Sequence, residues 1–186
     1  MNLKPTKLHL GCGERYLTGY LHVDINKFDH IDYITSVDNL SMFDDNSIDE
    51  IYASHVLEYF DKFESISVLS EWYRVLKKDG TLRLAVPNFS SLIEVYKSTN
   101  EINNVIGPII GRWKINDDEI IYHRQIFDSM SLTTQLNEVG FYDVKEWDWR
   151  LFISQQPDFD DHSQAYFPHM DKENGIHVSL NLIAKK

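Results

Sequence analysis

Lys7-Leu-His-Leu-Gly-Cys-Gly13, followed after seven residues by Leu21-His-Val-Asp-Ile25, is the stretch that decides how this chain folds. The first part alternates apolar and polar residues and runs into two glycines; the second alternates and ends on an acid, so both read as strands with ligand chemistry at their exits. Working outward, Ile31-Asp-Tyr-Ile-Thr-Ser-Val-Asp38 reads as a third strand and Glu50-Ile-Tyr-Ala-Ser54 as a fourth, with the polar turn Asp44-Asp-Asn-Ser47 between them. From Phe63 the period changes: Phe63, Ile66, Leu69, Trp72, Tyr73 and Leu76 recur at helical spacing, and Lys77-Lys-Asp-Gly80 reads as the helix terminus. Thr81 to Pro87 is a fifth strand and Phe89 to Tyr96 a helix. The polar, asparagine-rich stretch from Ser98 to Tyr122, with Gly107-Pro108 inside it, predicts helix fragments and loops. Ser129 as an N-cap before Leu132, Leu136 and Val139, with Gly140 as the stop, predicts another helix. Phe141 to Trp147 is a sixth strand and His177 to Ala184 the last; between them lies a long aromatic and acidic insertion, residues 148–176.

Strands alternating with helices imply an α/β sandwich on a mainly parallel sheet, with its ligand crevice outside the carboxyl ends of the strands. The chain has 186 residues, is 42% hydrophobic and shows no internal repeat or linker, so residues 1–186 are expected to form one domain. Its formal charge of −11 repels polyphosphate, which argues against a nucleic-acid partner. The single cysteine, Cys12, cannot form an internal disulfide or build a thiolate metal site, as expected of a cytoplasmic protein. No apolar stretch is long enough for a membrane span, and Met1-Asn-Leu-Lys-Pro5 lacks the apolar core of a signal peptide.

Glycines directly after the first strand let a ligand approach the backbone, and Asp24 at the end of the second can accept from a ribose diol. A dinucleotide fingerprint would need a third glycine where Tyr16 stands and an acid further along than Asp24, which disfavours a nicotinamide or flavin enzyme. An adenosine-containing ligand without phosphates fits better.

Leu8-His-Leu-Gly-Cys-Gly-Glu14, Val23-Asp-Ile25, Val37-Asp-Asn-Leu40, Ser47-Ile-Asp-Glu-Ile-Tyr-Ala-Ser-His-Val-Leu-Glu58 and Glu71 to Pro87 resemble, in order, the motifs of class I S-adenosylmethionine-dependent methyltransferases. His123 with Phe127-Asp128, then Leu136 to Phe141, is similar to the C-terminal half of small enzymes of this kind. Asp161-His-Ser-Gln-Ala-Tyr166, Pro168-His-Met-Asp171 and Ser179-Leu-Asn181 resemble tails of methyltransferase-like proteins found with surface polysaccharide genes. The resemblance implies a Rossmann-like seven-strand sheet with a reversed last strand, and S-adenosyl-L-methionine as cofactor with S-adenosyl-L-homocysteine as product. It puts Gly11 and Gly13 beside the methionine portion, with Cys12 between them as a small buried spacer, and Asp24 with Ile25 at the ribose. It also puts Asp38 at the adenine amino group, the Asn39-Leu40 backbone along the base, and Ser54 and His55 near the sulfonium. Only Glu14 to Tyr20 separate the glycines from the second strand, too few for the family's first crossover helix, which must be truncated or replaced by a loop.

Methyl transfer to a hydroxyl requires alignment and a base, and histidine suits neutral pH. His55 and His123 are the catalytic candidates; His162 and His169 are further candidates on the acceptor side, and His9, His22, His30 and His177 read as structural or surface residues. The aromatic insertion, with Trp147, Trp149, Phe152, Tyr166 and Phe167, could stack on a sugar, close as a lid, or pack over the sheet edge. A strongly anionic acceptor would need a clamp, for which Arg112, Lys114, Arg124 and Arg150 are available. Asp158, Asp160, Asp161, His162, His169 and Asp171 have the side chains of a metal site but no recognised ligand spacing, so no metal is expected. The expected activity is methyl transfer to a small polar acceptor, an oxygen of a sugar or nucleotide-sugar of a surface glycan. The alternatives are N-methylation of a small amine, which the acidic loop would attract, and a protein that binds the cofactor without turnover.

Overall fold

The computed structural model describes residues 6–186 apart from 117, 155 and 157; the Met1–Pro5 stretch lies outside the described residues. The strands are β1 (Lys7–Leu10), β2 (Leu21–Asp24), β3 (Tyr33–Ile34), β4 (Ile48–Ser54), β5 (Leu76–Pro87), β6 (Trp113–Lys114), β7 (Ile120–Ile121), β8 (Tyr142–Glu146), β9 (Tyr166–Phe167), β10 (Ile176–His177) and β11 (Ser179–Lys185). The helices are α1 (Lys62–Val75), α2 (Phe89–Thr99), α3 (Asn103–Ile110), α4 (Ser129–Val139) and α5 (Trp149–Ile153). Seven strands form one sheet in the order β3-β2-β1-β4-β5-β11-β8. The body from β3 to β5 is parallel, and β11 runs antiparallel to both β5 and β8. This is the mainly parallel Rossmann-like sheet with a reversed last strand, and its order reverses between β1 and β4, where a ligand crevice belongs.

Strand residues alternate between two cores. Leu8 and Leu10, Ile51 and Ala53, Leu82, Leu84 and Val86 face one side, where Leu69 and Trp72 of α1 and Leu132 and Leu136 of α4 cover them. Trp72 is sealed from solvent, and its indole N–H donates to the Val37 carbonyl at 2.8 Å. The intervening residues, Tyr52 and Ala85 among them, face the other side, where they meet Leu17, Trp147, Trp149 and Phe159. No crossover helix covers that side between β1 and β2; the loop 14–20 contributes Leu17, and the insertion supplies most of the rest. Phe152 stacks on Tyr52 at 5.0 Å between ring centroids.

Several boundaries differ from the sequence expectation for identifiable reasons. Helix α1 opens on a capping box between Asp61 and Glu64 and ends at Val75, not at Gly80. The free carbonyls of Arg74 and Val75 are taken by the amides of Asn46 and Ser47, and β5 begins at once with Leu76. Lys77 to Gly80 therefore belongs to β5, in the irregular stretch where its register with β4 shifts and Asp79 takes the left-handed conformation at φ 61°. Asp128, one residue before the expected Ser129, caps α4 by accepting from the Ser131 amide at 2.8 Å. The third strand shrinks to two residues, and the Ser98–Tyr122 stretch resolves into the end of α2, helix α3 and a β6–β7 hairpin. Among the described residues no helix is long and apolar enough to cross a membrane.

Candidate active site

The carboxyl ends of β1, β2, β4 and β5 open into a cavity of about 480 Å³. One half of it is built by the glycine loop and β2. Gly11 sits at φ 60°, and a Cβ there would lie 2.4 Å from Val56 Cγ2, so only glycine fits. The Gly13 amide donates to Asp24 Oδ2 at 2.8 Å and the Asn26 amide to Oδ1 at 2.8 Å, which fixes a 6% exposed carboxylate against the cavity. A carboxylate held by backbone donors and still facing open space is the acceptor that a ribose diol requires, so these residues fit an adenosyl ligand. Cys12 is buried with its thiol toward the Val23 carbonyl; burial and the neighbouring Asp24 push its pKa up to about 12, which makes it a spacer and not a nucleophile. Ile25, Ser36, Val37 and Ser54 extend this half of the wall.

The far half is walled by histidines and by the α3–β6–β7 segment. His55 leaves β4 in the left-handed conformation at φ 56°. Its Nε2 lies 3.1 Å from Ser179 Oγ, whose hydroxyl donates to Asn181 Oδ1 at 2.8 Å, while Asn181 Nδ2 donates to the Ser163 carbonyl at 2.9 Å. Read back along this chain, Ser179 can only accept from His55, so Nε2 carries the proton and Nδ1 presents its lone pair. That lone pair faces Glu58 Oε1 at 3.3 Å. His123 donates from Nδ1 to the Pro108 carbonyl at 3.0 Å and turns Nε2 toward the same Glu58 oxygen at 3.8 Å. Glu58 is fully buried, and neither carboxyl oxygen has a hydrogen-bond partner among the described residues. Burial pushes its pKa up to about 7, opposed by His123, so the carboxyl is protonated below neutral pH, with the two imidazole nitrogens as its nearest polar neighbours. Burial also pushes His55 down to about 4 and lowers His123.

Both catalytic candidates thus line the cavity, but one ring nitrogen of each is held by the wall and the other faces Glu58. His162 differs. It lines the same cavity, stands 5.3 Å from the His55 ring, and its ring nitrogens have no hydrogen bond among the described residues. Although the residue is exposed overall, desolvation of the ring and then the His55 charge push its pKa down to about 4, so it is neutral at physiological pH.

Other expected positions are not brought to the cavity. Leu40 is a core residue whose amide donates to Glu71 and whose carbonyl accepts from Arg74. Asp38 and Asn39 are exposed, and Ser36 and Val37 occupy the wall instead, because β3 ends at Ile34, earlier than the expected third strand. Arg124 is tied to Asp61 at 3.0 Å and to Glu64 at 2.5 Å. Tyr166 accepts from Arg150 at 2.9 Å and packs in the aromatic core, and His169 is exposed beyond the cavity wall. Asp161 is committed to Tyr52 and Ser163, and no group of three His, Cys, Asp or Glu residues among those described could hold a metal. Sequence reasoning assigned no role to Glu58, although its place three residues after His55 was a usable signal. It also missed Gly111, where a Cβ would lie 2.2 Å from His123 Nε2.

Residues 8–84 match the family described as the methyltransferase domain. No curated protein matches the chain in sequence. A SAM-dependent methyltransferase from Archaeoglobus fulgidus superposes with a TM-score of 0.59 at 19% identity, covering 98% of this chain and 86% of that one. One from Methanosarcina mazei gives 0.56 at 18% identity, with coverages of 99% and 93%. The Burkholderia thailandensis 1,6-didemethyltoxoflavin-N1-methyltransferase, crystallised with bound 1,6-didemethyltoxoflavin and S-adenosylhomocysteine, gives a TM-score of 0.55 at 12% identity, with coverages of 98% and 72%. Sheet order and superposition give the chain the Rossmann-like fold of these methyltransferases, and the matched segment, residues 8–84, carries the glycine loop and Asp24.

Proposed function

We propose that this protein methylates an oxygen of a small polar acceptor, a sugar or nucleotide-sugar of a surface glycan pathway, inside the cell. The observation that carries the reading is the continuity of the cavity: the half bounded by Gly11, Gly13 and Asp24 runs without a partition into the half bounded by His162, His123 and Trp113. A cofactor seated in the first half and an acceptor in the second would meet near His55. S-adenosylmethionine supplies an activated methyl group on a sulfonium, so the chain's own task is to orient the acceptor, exclude water and receive a proton. His162, with neutral and uncommitted ring nitrogens, takes the hydroxyl proton. His55 and His123, locked by Ser179 and Pro108, hold the wall in register with the buried Glu58 behind them. The sugar class rests on the resemblance of the 161–181 tail, and the half-exposed Trp113 indole offers a face on which a sugar ring can stack.

The test is incubation of the protein and S-adenosylmethionine with a panel of sugars, sugar phosphates and nucleotide-sugars, scored by mass spectrometry for a product one methyl group heavier. Turnover that falls at least about tenfold in His162→Ala supports the assignment. Cofactor binding without a methylated product from any acceptor would leave a binding protein in place of an enzyme.

A further inference from the structure

The chain has six arginines, and their partners divide them. Arg74 meets Glu71 and Asp45, Arg83 meets Glu50, Arg124 meets Asp61 and Glu64, and Arg150 meets Asp148. Arg15 and Arg112 have no carboxylate partner among the described residues, and both line the one cavity described above. In a chain of net charge −11 this is the reverse of what surface averaging would produce. Arg15 belongs to the cofactor half: it follows the glycine loop, its Nε donates to the Asp160 carbonyl at 2.9 Å, and its charge is felt at His55 and His162. Arg112 belongs to the far half. It follows Gly111, which packs against the His123 ring with no room for a side chain, and precedes the half-exposed Trp113.

Among the described residues that line it, the far half also has no acid. Glu58 is sealed behind His55 and His123, and the acidic residues of the insertion stay outside: Asp158 and Asp160 are exposed elsewhere and Asp161 is bonded to Tyr52. Among the described lining residues an amine would find no carboxylate to receive it, whereas an anion would find the Arg112 guanidinium beside an aromatic ring. We infer that the acceptor carries an anionic group, phosphate or carboxylate, that binds Arg112 while its ring lies on Trp113. The inference rests on the methyl-transfer reading and names its substrate class.

Calorimetric titration of the protein saturated with S-adenosylhomocysteine, using glucose 1-phosphate, glucuronate, glucose and glucosamine as probes, tests it. The expected result is that one of the two anions binds at least about tenfold more tightly than glucose. The preferred anion identifies phosphate or carboxylate as the group. Arg112→Gln, at an exposed position with no ion pair among the described residues, should abolish the preference and leave the S-adenosylhomocysteine affinity unchanged. Equal binding of glucose or glucosamine, no binding of either anion, or a preference that survives Arg112→Gln would overturn it. Failure of the wild-type protein to bind S-adenosylhomocysteine would instead remove the methyl-transfer reading, and this inference with it.

Discussion

The two faces of the sheet are covered by different means. On one, α1 and α4 lay aliphatic side chains and Trp72 over the strands, with helix caps at Asp61 and Asp128 defining where each element begins. On the other, the crossover helix between β1 and β2 is missing, and a seven-residue loop and the long insertion take its place with aromatic rings. That face also buries polar groups: His9 and His22 lie edge to face at 5.6 Å, His9 meets Phe159 at 5.8 Å, and the Tyr52 hydroxyl donates to Asp161 at 2.5 Å. The short β1–β2 link and the 148–176 insertion are two departures that offset each other. Helical cover is apolar and insensitive to pH, while irregular cover depends on hydrogen bonds and on histidine charge.

This contrast can be broken at graded points. Trp72→Ala on the helical face removes a fully buried side chain and should cost about 3–5 kcal/mol of unfolding free energy, read by urea denaturation. Tyr52→Phe on the irregular face leaves the buried Asp161 without its phenol donor and should cost about 1–3 kcal/mol. A loss no greater than measurement error would mean that the insertion is not held by this bond.

Acid should act through the irregular face. His9 is held well below its ordinary value by burial, and then by the charges of His22 and Arg15; His22 is lowered by burial and then by His30. The unfolded chain therefore binds more protons below pH 6.5, so stability is full above that value and falls as the pH drops below it. Glu58, raised to about 7, works in the opposite sense across the range from 4.5 to 7, but as a single group against several histidines. The urea midpoint should fall between pH 7 and pH 5, and His9→Leu should flatten that slope; an unchanged slope would place the sensitive groups elsewhere. The smallest effect belongs to Arg150, whose guanidinium lies 4.5 Å from the Trp149 ring at an exposed site. Arg150→Ala should cost about 0.5–1 kcal/mol.

The first, second and fourth strands, the two glycines and Asp24 were legible because they depend on local patterns: alternation, a φ that glycine favours, an acid at a strand exit. The cap made by α3 and the β6–β7 hairpin was not, because its residues are polar, asparagine-rich and interrupted by Gly107-Pro108, with no period to read. Glu58 was passed over because an acid in a motif reads as solvated, and only the fold shows that a short three-ten turn, Leu57–Tyr59, buries it between two histidines. The role of the insertion was open for a related reason. Aromatic residues suit a lid and a core equally well, and the missing crossover helix, visible in the seven-residue link, was the clue that the sheet needed cover from elsewhere. His162 and Ala165 are the points where the insertion nonetheless reaches the cavity.

The central claim is that the glycine loop and Asp24 hold S-adenosylmethionine. Isothermal titration of the wild-type protein and of Asp24→Ala with S-adenosylhomocysteine tests it most directly. Micromolar binding by the wild-type protein, weakened at least about tenfold in a variant that remains folded by circular dichroism, is the predicted result. No binding by the folded wild-type protein, or an affinity that Asp24→Ala leaves unchanged, would contradict it.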